Sequence, residues 1–260
     1  MKKTTIILVM WLLALAVGGA KLMALEISGE EATLYAQAEG EKDPARRVQL
    51  LETYLMTYPS GYYKTTVNYL ATLTFAQLNQ SSKVIQYGEE TLRADPDSID
   101  ILLALANVYS VRPETHQKSI GYSEHALVVI DKKAGQQPPK GVSADTWKSE
   151  CEKLEKRALY VNSFVKGLVA IERKDCAGAV EPLKTAYSIA RNPAIAYFLG
   201  ICYSKTGKSV EAISILCEAV ALNGAKKEQA QKELERIYQE KNKTLEGLQQ
   251  KIEEARTRIR

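Results

Sequence analysis

The side chains best suited to metal chemistry are few and do not form a recognised pattern. The 260 residues include 2 His and 4 Cys. His116 and His125 have Glu114 and Glu124 close by in the sequence, but a zinc site needs three or four converging ligands and no His-Glu-x-x-His pattern is present. We therefore expect both histidines to be surface residues, and we expect no metal site.

One short motif resembles part of a phosphate-binding loop. Gly207-Lys208-Ser209 matches the end of a P-loop, but that motif needs another glycine five residues earlier, where this chain has Cys202. The segment before it is also predicted to be helical, whereas a P-loop follows a strand. No Gly-x-Ser-x-Gly is present, and no Ser, His and acid arrangement can be singled out. We expect no catalytic residue and no cofactor.

The cysteines allow two interpretations. Cys151, Cys176, Cys202 and Cys217 form no Cys-x-x-Cys pair. Three of them, all except Cys176, fall on or beside helix-packing stripes, where cysteine behaves as a small buried apolar residue. Buried thiols are the favoured prediction. An even count in an exported chain also allows a disulfide, which remains the alternative.

Composition excludes several classes of protein. Apolar residues make up 45% of the chain and charged residues 25%, which is typical of a globular protein. The 35 basic and 31 acidic residues give a formal net charge of +4. A nearly balanced surface does not favour nucleic acid or an anionic membrane as the partner.

Residues 1–25 have the layout of an export signal. Lys2 and Lys3 precede an apolar run at 6–17, and small residues follow at 18–20. Because further apolar residues come after Lys21, the segment could instead stay as an N-terminal membrane anchor, with residues 4–25 associated with the inner membrane. In both cases we expect the body of the protein to lie outside the cytoplasm, in a bacterial periplasm.

The body shows a repeated two-helix pattern, clearest between Pro193 and Gly224. Gly207 lies where the first helix must end, a position that favours left-handed backbone. The small and apolar residues form two helical stripes: Ala196, Leu199, Gly200 and Tyr203 on the first helix, and Ala212, Leu216 and Ala219 on the second.

These residue types at these spacings resemble the tetratricopeptide repeat (TPR) family. Looser matches cover 28–59, 65–98, 101–131 and 160–192. The resemblance implies an all-α, right-handed superhelical solenoid of antiparallel helix pairs. It also implies that the protein binds other proteins.

The spacing of the repeats predicts an insertion. The second helices begin near Val48, Ile85, Ile120, Val180 and Ile213, so one interval of 60 residues is about 26 too long for a 34-residue repeat. A loop at 132–141 fits that excess. After it, Ser143 is a good N-cap for an unbroken helix from about Ala144 to Arg173.

The predicted organisation has five parts. Residues 1–25 are the signal peptide or anchor, and 26–131 form a block of about three helix pairs. The inserted loop and helix extension occupy 132–158, and two further pairs occupy 159–226. The insertion is interpreted as a hinge or a protruding helix.

The last 34 residues, 227–260, are predicted to be charged capping helices, since the end of a solenoid must cover its apolar face. Thr244 is a plausible N-cap for the second of them. A coiled-coil or partner-binding helix is the alternative. The two apolar stripes are Ala230, Leu234 and Ile237, followed by Leu245, Leu248, Ile252 and Ala255.

The resemblance also implies a binding groove lined by first-helix residues. Its members would be Tyr69, Leu73, Gln77, Leu103, Asn107, Phe164, Leu168, Tyr197, Ile201 and Lys205. The set is almost without basic residues, so it does not match the carboxylate clamp of some relatives. An apolar groove with tyrosines suits an amphipathic helix or an extended apolar segment. Alternatively, some of these side chains pack against a neighbouring repeat or the inserted helix.

The leading functional hypothesis is a non-enzymatic scaffold or adaptor of the bacterial cell envelope that binds a protein partner in this groove. A membrane-anchored subunit of an envelope assembly or secretion complex is the first alternative. A cell-wall-active enzyme is the least favoured.

Overall fold

A computed structural model describes residues 28–259 of the chain, and every regular element between them is helical. The predicted export signal lies outside the described residues. The described residues divide into two compact units, 28–71 and 72–259. The predicted all-α architecture of helix pairs is confirmed. The five-part organisation remains a prediction.

The first unit contains α1 (Gly29–Gly40), α2 (Pro44–Thr57) and the beginning of α3 (Lys64–Gln77). Ser28 begins α1 by accepting a hydrogen bond from the Glu31 backbone N–H at 3.0 Å. Asp43 begins α2 in the same way, followed by a proline at the first helical position. Helices α1 and α2 therefore each begin at a capping side chain of a type that favours helix starts.

The second unit begins within α3 and holds the remaining helices. These are α4 (Ser81–Ala94), α5 (Ile99–Tyr109), a 3₁₀ turn (Pro113–Thr115), α6 (His116–Ala134), α7 (Ala144–Glu172), α8 (Cys176–Ile189), α9 (Pro193–Lys205), α10 (Ser209–Ala221), α11 (Lys227–Asn242) and α12 (Leu248–Ile259). From α4 to α11, each helix packs against the next one in the sequence.

The long helix of the insertion is confirmed. Helix α7 runs unbroken for 29 residues, and Ser143 Oγ accepts the Thr146 backbone N–H at 3.1 Å. Helix α7 packs against both α6 and α8. Buried Cys151, Ala158 and Val165 mark the side that faces these neighbours. Its second half is thus the first helix of a pair, while its first half extends beside α6.

In two consecutive hairpins of the second unit, the paired helices meet at the same kind of contact, between a glycine and a leucine. A Cβ built on Gly167 would lie 2.6 Å from Leu183 Cδ2, and one built on Gly200 would lie 2.5 Å from Leu216 Cγ. In each case the leucine follows the glycine by 16 residues across a short loop, so the paired helices run antiparallel. Only glycine allows the backbones to approach this closely, because any side chain would overlap the leucine.

The earlier hairpins of this unit keep a small residue at the same contact. Between α3 and α4 the small residue is on the second helix, where a Cβ on Gly88 would lie 3.3 Å from Thr72 Cγ2. Between α5 and α6, Ser119 Oγ donates a 2.7 Å hydrogen bond to the Ala106 carbonyl. The close approach is therefore kept although the residues change.

The C-terminal helices cover the end of the last hairpin. The stripe Ala230, Leu234 and Ile237 of α11 belongs to the same buried cluster as α9 and α10, and so does the stripe Leu248, Ile252 and Ala255 of α12. This supports the capping interpretation. Two details of the prediction were wrong. Leu245, expected on the second stripe, is 46% exposed ahead of α12. Thr244, expected to be the N-cap of this helix, accepts the Glu246 N–H at its Oγ1 in a local turn.

The expectation of two surface histidines was wrong for His116. This residue begins α6 and is only 3% exposed. Its Nε2 lies 3.1 Å from the Ser110 carbonyl oxygen at the end of α5, and its Nδ1 lies 3.1 Å from Glu172 Oε1 at the end of α7. The ring is buried because three helix ends meet around it, which the spacing of neighbouring residues does not show.

Candidate functional site

The candidate site is built from two side-chain stripes in the second unit. On α7, Tyr160, Phe164 and Leu168 follow one another at intervals of four residues, which places them on one helical face. All three are half-buried, and the rings of Tyr160 and Phe164 are stacked with centroids 6.4 Å apart. Together they leave an apolar strip partly open to solvent.

The second stripe lies on α9. Tyr197, Ile201 and Lys205 have the same four-residue spacing, with the first two half-buried and the lysine exposed. Asn192, the N-cap of α9, donates from Nδ2 to the Tyr160 hydroxyl at 3.4 Å, which links the start of this stripe to the start of the other. The two stripes lie on consecutive first helices and are linked by this hydrogen bond. We call them the paired stripes.

Charged residues of the following segment lie beside the α9 stripe. Lys226 Nζ lies 6.0 Å from the centroid of the Tyr197 ring. Arg236 binds Glu233 and Glu240 of its own helix and donates to Ser204 Oγ on α9 at 3.1 Å. These bonds fix the α11 carboxylates against α9.

The electrostatic surroundings shift two pKa values near the stripes. Burial, and then the negative charge of Glu233, raises the pKa of Tyr197 above its ordinary value. The hydrogen bond from Arg236 lowers the pKa of Glu233. At neutral pH the stripe therefore presents a neutral tyrosine beside a charged but already paired carboxylate.

The other predicted groove residues are less uniform. Tyr69 is half-buried on the part of α3 that belongs to the first unit. In the second unit, Leu73 is half-buried and Gln77 is exposed. Asn107 is also exposed, and its Nδ2 donates to the Leu103 carbonyl at 2.9 Å, within its own helix.

Leu103 does not line a surface. It is 1% exposed and belongs to a buried cluster with Ala126 and Ile130 of α6 and Ala158 of α7. The predicted role of Leu103 in a groove is therefore wrong, because the inserted helix covers it. This is the outcome described by the alternative in which groove positions pack against the inserted helix.

Two residues at the paired stripes were missed in the sequence. Tyr160 precedes Phe164 by four residues, so the helical period alone indicated its place on the stripe. Arg236 gave no such signal, because it reaches α9 from a later helix for which capping was the favoured prediction.

Two concavities of the second unit lie away from the paired stripes. One has a volume of about 750 Å³ between α10, α11 and α12, with Ile213 and Cys217 among its apolar lining and Lys251 and Arg258 among its charged lining. The other, of about 620 Å³, lies between α6 and the first half of α7 around Trp147. Neither is lined by the predicted groove residues.

Across residues 28–259 there is no group of three or more His, Cys, Asp or Glu side chains placed to hold a metal ion. Within the same residues, no helix is long and apolar enough to span a membrane.

The hairpin contacts decide the type of fold. Gly167 and Gly200 lie 33 residues apart, and each contacts a leucine 16 residues later, on the second helix of its own pair. The helix pairs of the second unit resemble the TPR pattern. Their close helix approach recurs once per pair, with looser variants at Gly88 and Ala106.

Comparison with known proteins gives distant structural similarity alone. No family model matches the chain, and no curated protein matches it. The crystal structure of MamA protein is 16% identical over 74% of this chain and 92% of that chain, with a TM-score of 0.47. A thermophilic TPR protein of Thermus thermophilus is 18% identical over 80% of this chain and 94% of that chain, with a TM-score of 0.35.

Proposed function

We propose that this chain is a non-enzymatic protein-interaction scaffold that holds a segment of a partner protein on the paired stripes. The observation that carries the proposal is the row of half-buried apolar and aromatic side chains on two consecutive first helices. In the last repeat the second helix, α10, packs against α11 and α12, whereas the paired stripes stay partly open.

The stripes suit an apolar segment, either one face of an amphipathic helix or an extended strand of chain. Tyr197 and Phe164 offer large contact area with few rotatable bonds, so ordering them costs little entropy on binding. The exposed Lys205 ends the stripe and adds a positive charge at the rim. A partner residue with a carboxylate at that end would add specificity more than affinity.

The test is photocrosslinking from defined positions in the cells that make the protein. A photoreactive amino acid replaces Ile201 on the α9 stripe, and in a matched chain it replaces Val210, which is 62% exposed on the second helix of the same hairpin. We expect a discrete protein adduct from position 201 and none of the same mass from position 210. Adding Tyr197→Ala to the first chain should reduce the adduct at least several-fold.

Equal adducts from both positions would disprove the stripe as the binding surface. Because Val210 lines the concavity beside α12, an adduct from position 210 would point to that concavity, and the one around Trp147 would be the next surface to probe. Circular dichroism and thermal melting of each chain confirm that loss of an adduct does not come from unfolding.

We also propose that the scaffold works in the bacterial cell envelope, with its body exported. The support is the sequence of residues 1–25: two lysines, an apolar run and small residues. If the segment is a signal peptide, the mature protein will lack about 16–20 N-terminal residues. If Lys21 and the apolar residues after it retain the segment as an anchor, the intact mass will be that of the full chain and the protein will sediment with membranes. A full-length chain in the soluble cytoplasm would disprove both.

A further inference from the structure

Two cysteines from different hairpins meet in the core of the second unit. Cys202 of α9 lies with its Sγ 3.1 Å from the Sγ of Cys176, the first residue of α8. They are separated by 26 positions in the sequence. Cys151 and Cys217 are also buried, on α7 and α10.

The two sulfur atoms are not equivalent. Cys202 is fully buried, and burial, followed by the contact with Cys176, raises the pKa of its thiol to about 12. Its S–H donates to Cys176 Sγ. Cys176 is 8% exposed and follows directly after the exposed loop residues Lys174 and Asp175. Cys176 is therefore the sulfur that a reagent in solution reaches first.

We propose that Cys176 and Cys202 form a redox site that closes to a disulfide by exchange with a small disulfide or a disulfide-donating protein. Cys176 gives up its proton and its thiolate attacks the donor disulfide, forming a mixed disulfide and releasing one donor thiolate, which takes up that proton. Cys202 then attacks Cys176 Sγ, forming the intramolecular bond and releasing the second donor thiol, which takes up the proton of Cys202. The pair is oxidised by two electrons, and the donor is reduced to two thiols.

The bond would join two repeats. Helix α8 closes the hairpin that carries Phe164, and α9 carries Tyr197, so a bond between α8 and α9 fixes one stripe against the other. Closing a loop of this length constrains the unfolded chain, which stabilises the folded state. The proposal does not depend on the proposed function, because it concerns the two thiols alone.

The experiment oxidises the purified protein with glutathione disulfide, blocks remaining thiols under denaturing conditions and maps disulfide-linked peptides by mass spectrometry. We expect the wild-type chain to lose two hydrogen atoms and to yield one linked pair, Cys176 with Cys202. Cys151 and Cys217 should remain free thiols. The melting midpoint of the oxidised protein should exceed that of the reduced protein by on the order of 5–10 °C.

Two variants keep the test sharp. Cys151→Ser/Cys217→Ser retains the pair and should lose all free thiols on oxidation. Cys176→Ser removes the reachable sulfur and should give neither the linked peptide nor the rise in melting midpoint. A wild-type chain whose four thiols all stay free after oxidation would overturn the proposal, and so would a link that involves Cys151 or Cys217. The wild-type measurement alone decides the question if either variant fails to fold.

Discussion

The first and the last helix pairs of the described chain are held together by different forces. Between α1 and α2, a carboxylate and a phenol meet in the interior: Tyr54 Oη donates to Glu31 Oε1 at 2.5 Å, with Glu31 6% exposed and Tyr54 fully buried. The same Glu31 oxygen accepts the Tyr62 N–H at 2.7 Å, and the Tyr63 N–H donates to Tyr54 Oη at 3.0 Å. We call these four residues the Glu31–Tyr54 network.

Between α9 and α10, the interior contact has no polar side chain. Gly200 faces Leu216, which is fully buried, and Ala212 and Ala219 lie on the same side of α10. The comparison shows that one helix-pair architecture can be closed by directional hydrogen bonds or by shape alone. The hydrogen-bonded contact, which we call the polar closure, should lose stability when one atom is removed or when the pH changes. The packed contact, which we call the apolar closure, should lose stability when side-chain volume changes.

The largest expected effect is the loss of volume at Leu216. Leu216→Ala leaves a cavity where the leucine fills the space above Gly200, and it should cost about 2–5 kcal/mol of unfolding free energy. Chemical denaturation followed by circular dichroism measures the loss. Leu245→Ala is the matched control, because Leu245 is 46% exposed and its truncation should change stability by no more than about 0.5 kcal/mol. Similar losses from both changes would show that shape complementarity at Gly200 is not the cause.

A double-mutant cycle sharpens the same point. Gly200→Ala alone puts a methyl group into the leucine and should cost about 1–3 kcal/mol. In the Leu216→Ala background that methyl enters the new cavity, so the double variant should be more stable than the sum of the single losses predicts. Strict additivity would mean that the two residues do not act on one another.

The next effect tests the polar closure by removing one oxygen atom. Tyr54→Phe keeps the ring but leaves the Tyr63 N–H without its acceptor and removes one hydrogen bond from Glu31, so it should cost about 1–3 kcal/mol. Tyr35→Phe is the control. Its hydroxyl bonds to the exposed Glu39 on the same helix, and phenylalanine keeps the ring that stacks on Tyr63, so the loss of the hydroxyl should cost less than about 1 kcal/mol. Equal costs would mean that burial does not set the strength of the network.

The pH dependence of stability should differ between wild type and Tyr54→Phe. Burial, and then the bond to Glu31, raises the pKa of Tyr54 above its ordinary value. The folded chain therefore keeps the phenol protonated while the unfolded chain ionises it, so the stabilisation is fully present below about pH 10 and is lost as pH rises above that. Melting midpoints between about pH 8 and 11.5 should fall less steeply for Tyr54→Phe than for wild type. Parallel curves would contradict the attribution of the high-pH loss of stability to Tyr54.

Local sequence signals predicted the elements well. Ser143 and the four- and three-residue spacings after it fixed the long helix, because capping and helical period depend on neighbouring residues. Gly207 has the left-handed backbone expected where α9 ends, with a φ of +78°. The burial of the apolar stripes of α11 and α12 could be predicted for the same reason, since each stripe follows a single helical period.

The surfaces were harder to predict, because they depend on contacts between distant residues. Leu103 looks like a groove residue within its own repeat, but α7 covers it from more than fifty positions away. The Glu31–Tyr54 network and the Cys176–Cys202 contact join residues 23 and 26 positions apart, without a motif to mark them. Phe164, Leu168, Tyr197 and Ile201 follow the helical period in the sequence, but their partial exposure became visible only with the neighbouring helices in position.

The smallest predicted effect separates a helical glycine that lies in open space from one that a close helix contact requires. Gly121 lies in the middle of α6, is exposed, and has nothing within 4 Å of the position its Cβ would take. Gly121→Ala should therefore raise the unfolding free energy by about 0.5–1 kcal/mol, because alanine loses less conformational freedom in a helix. The same substitution at Gly200 should have the opposite sign. Denaturation midpoints of the two variants test this difference, and a loss of stability at Gly121 would mean that helix propensity does not govern this position.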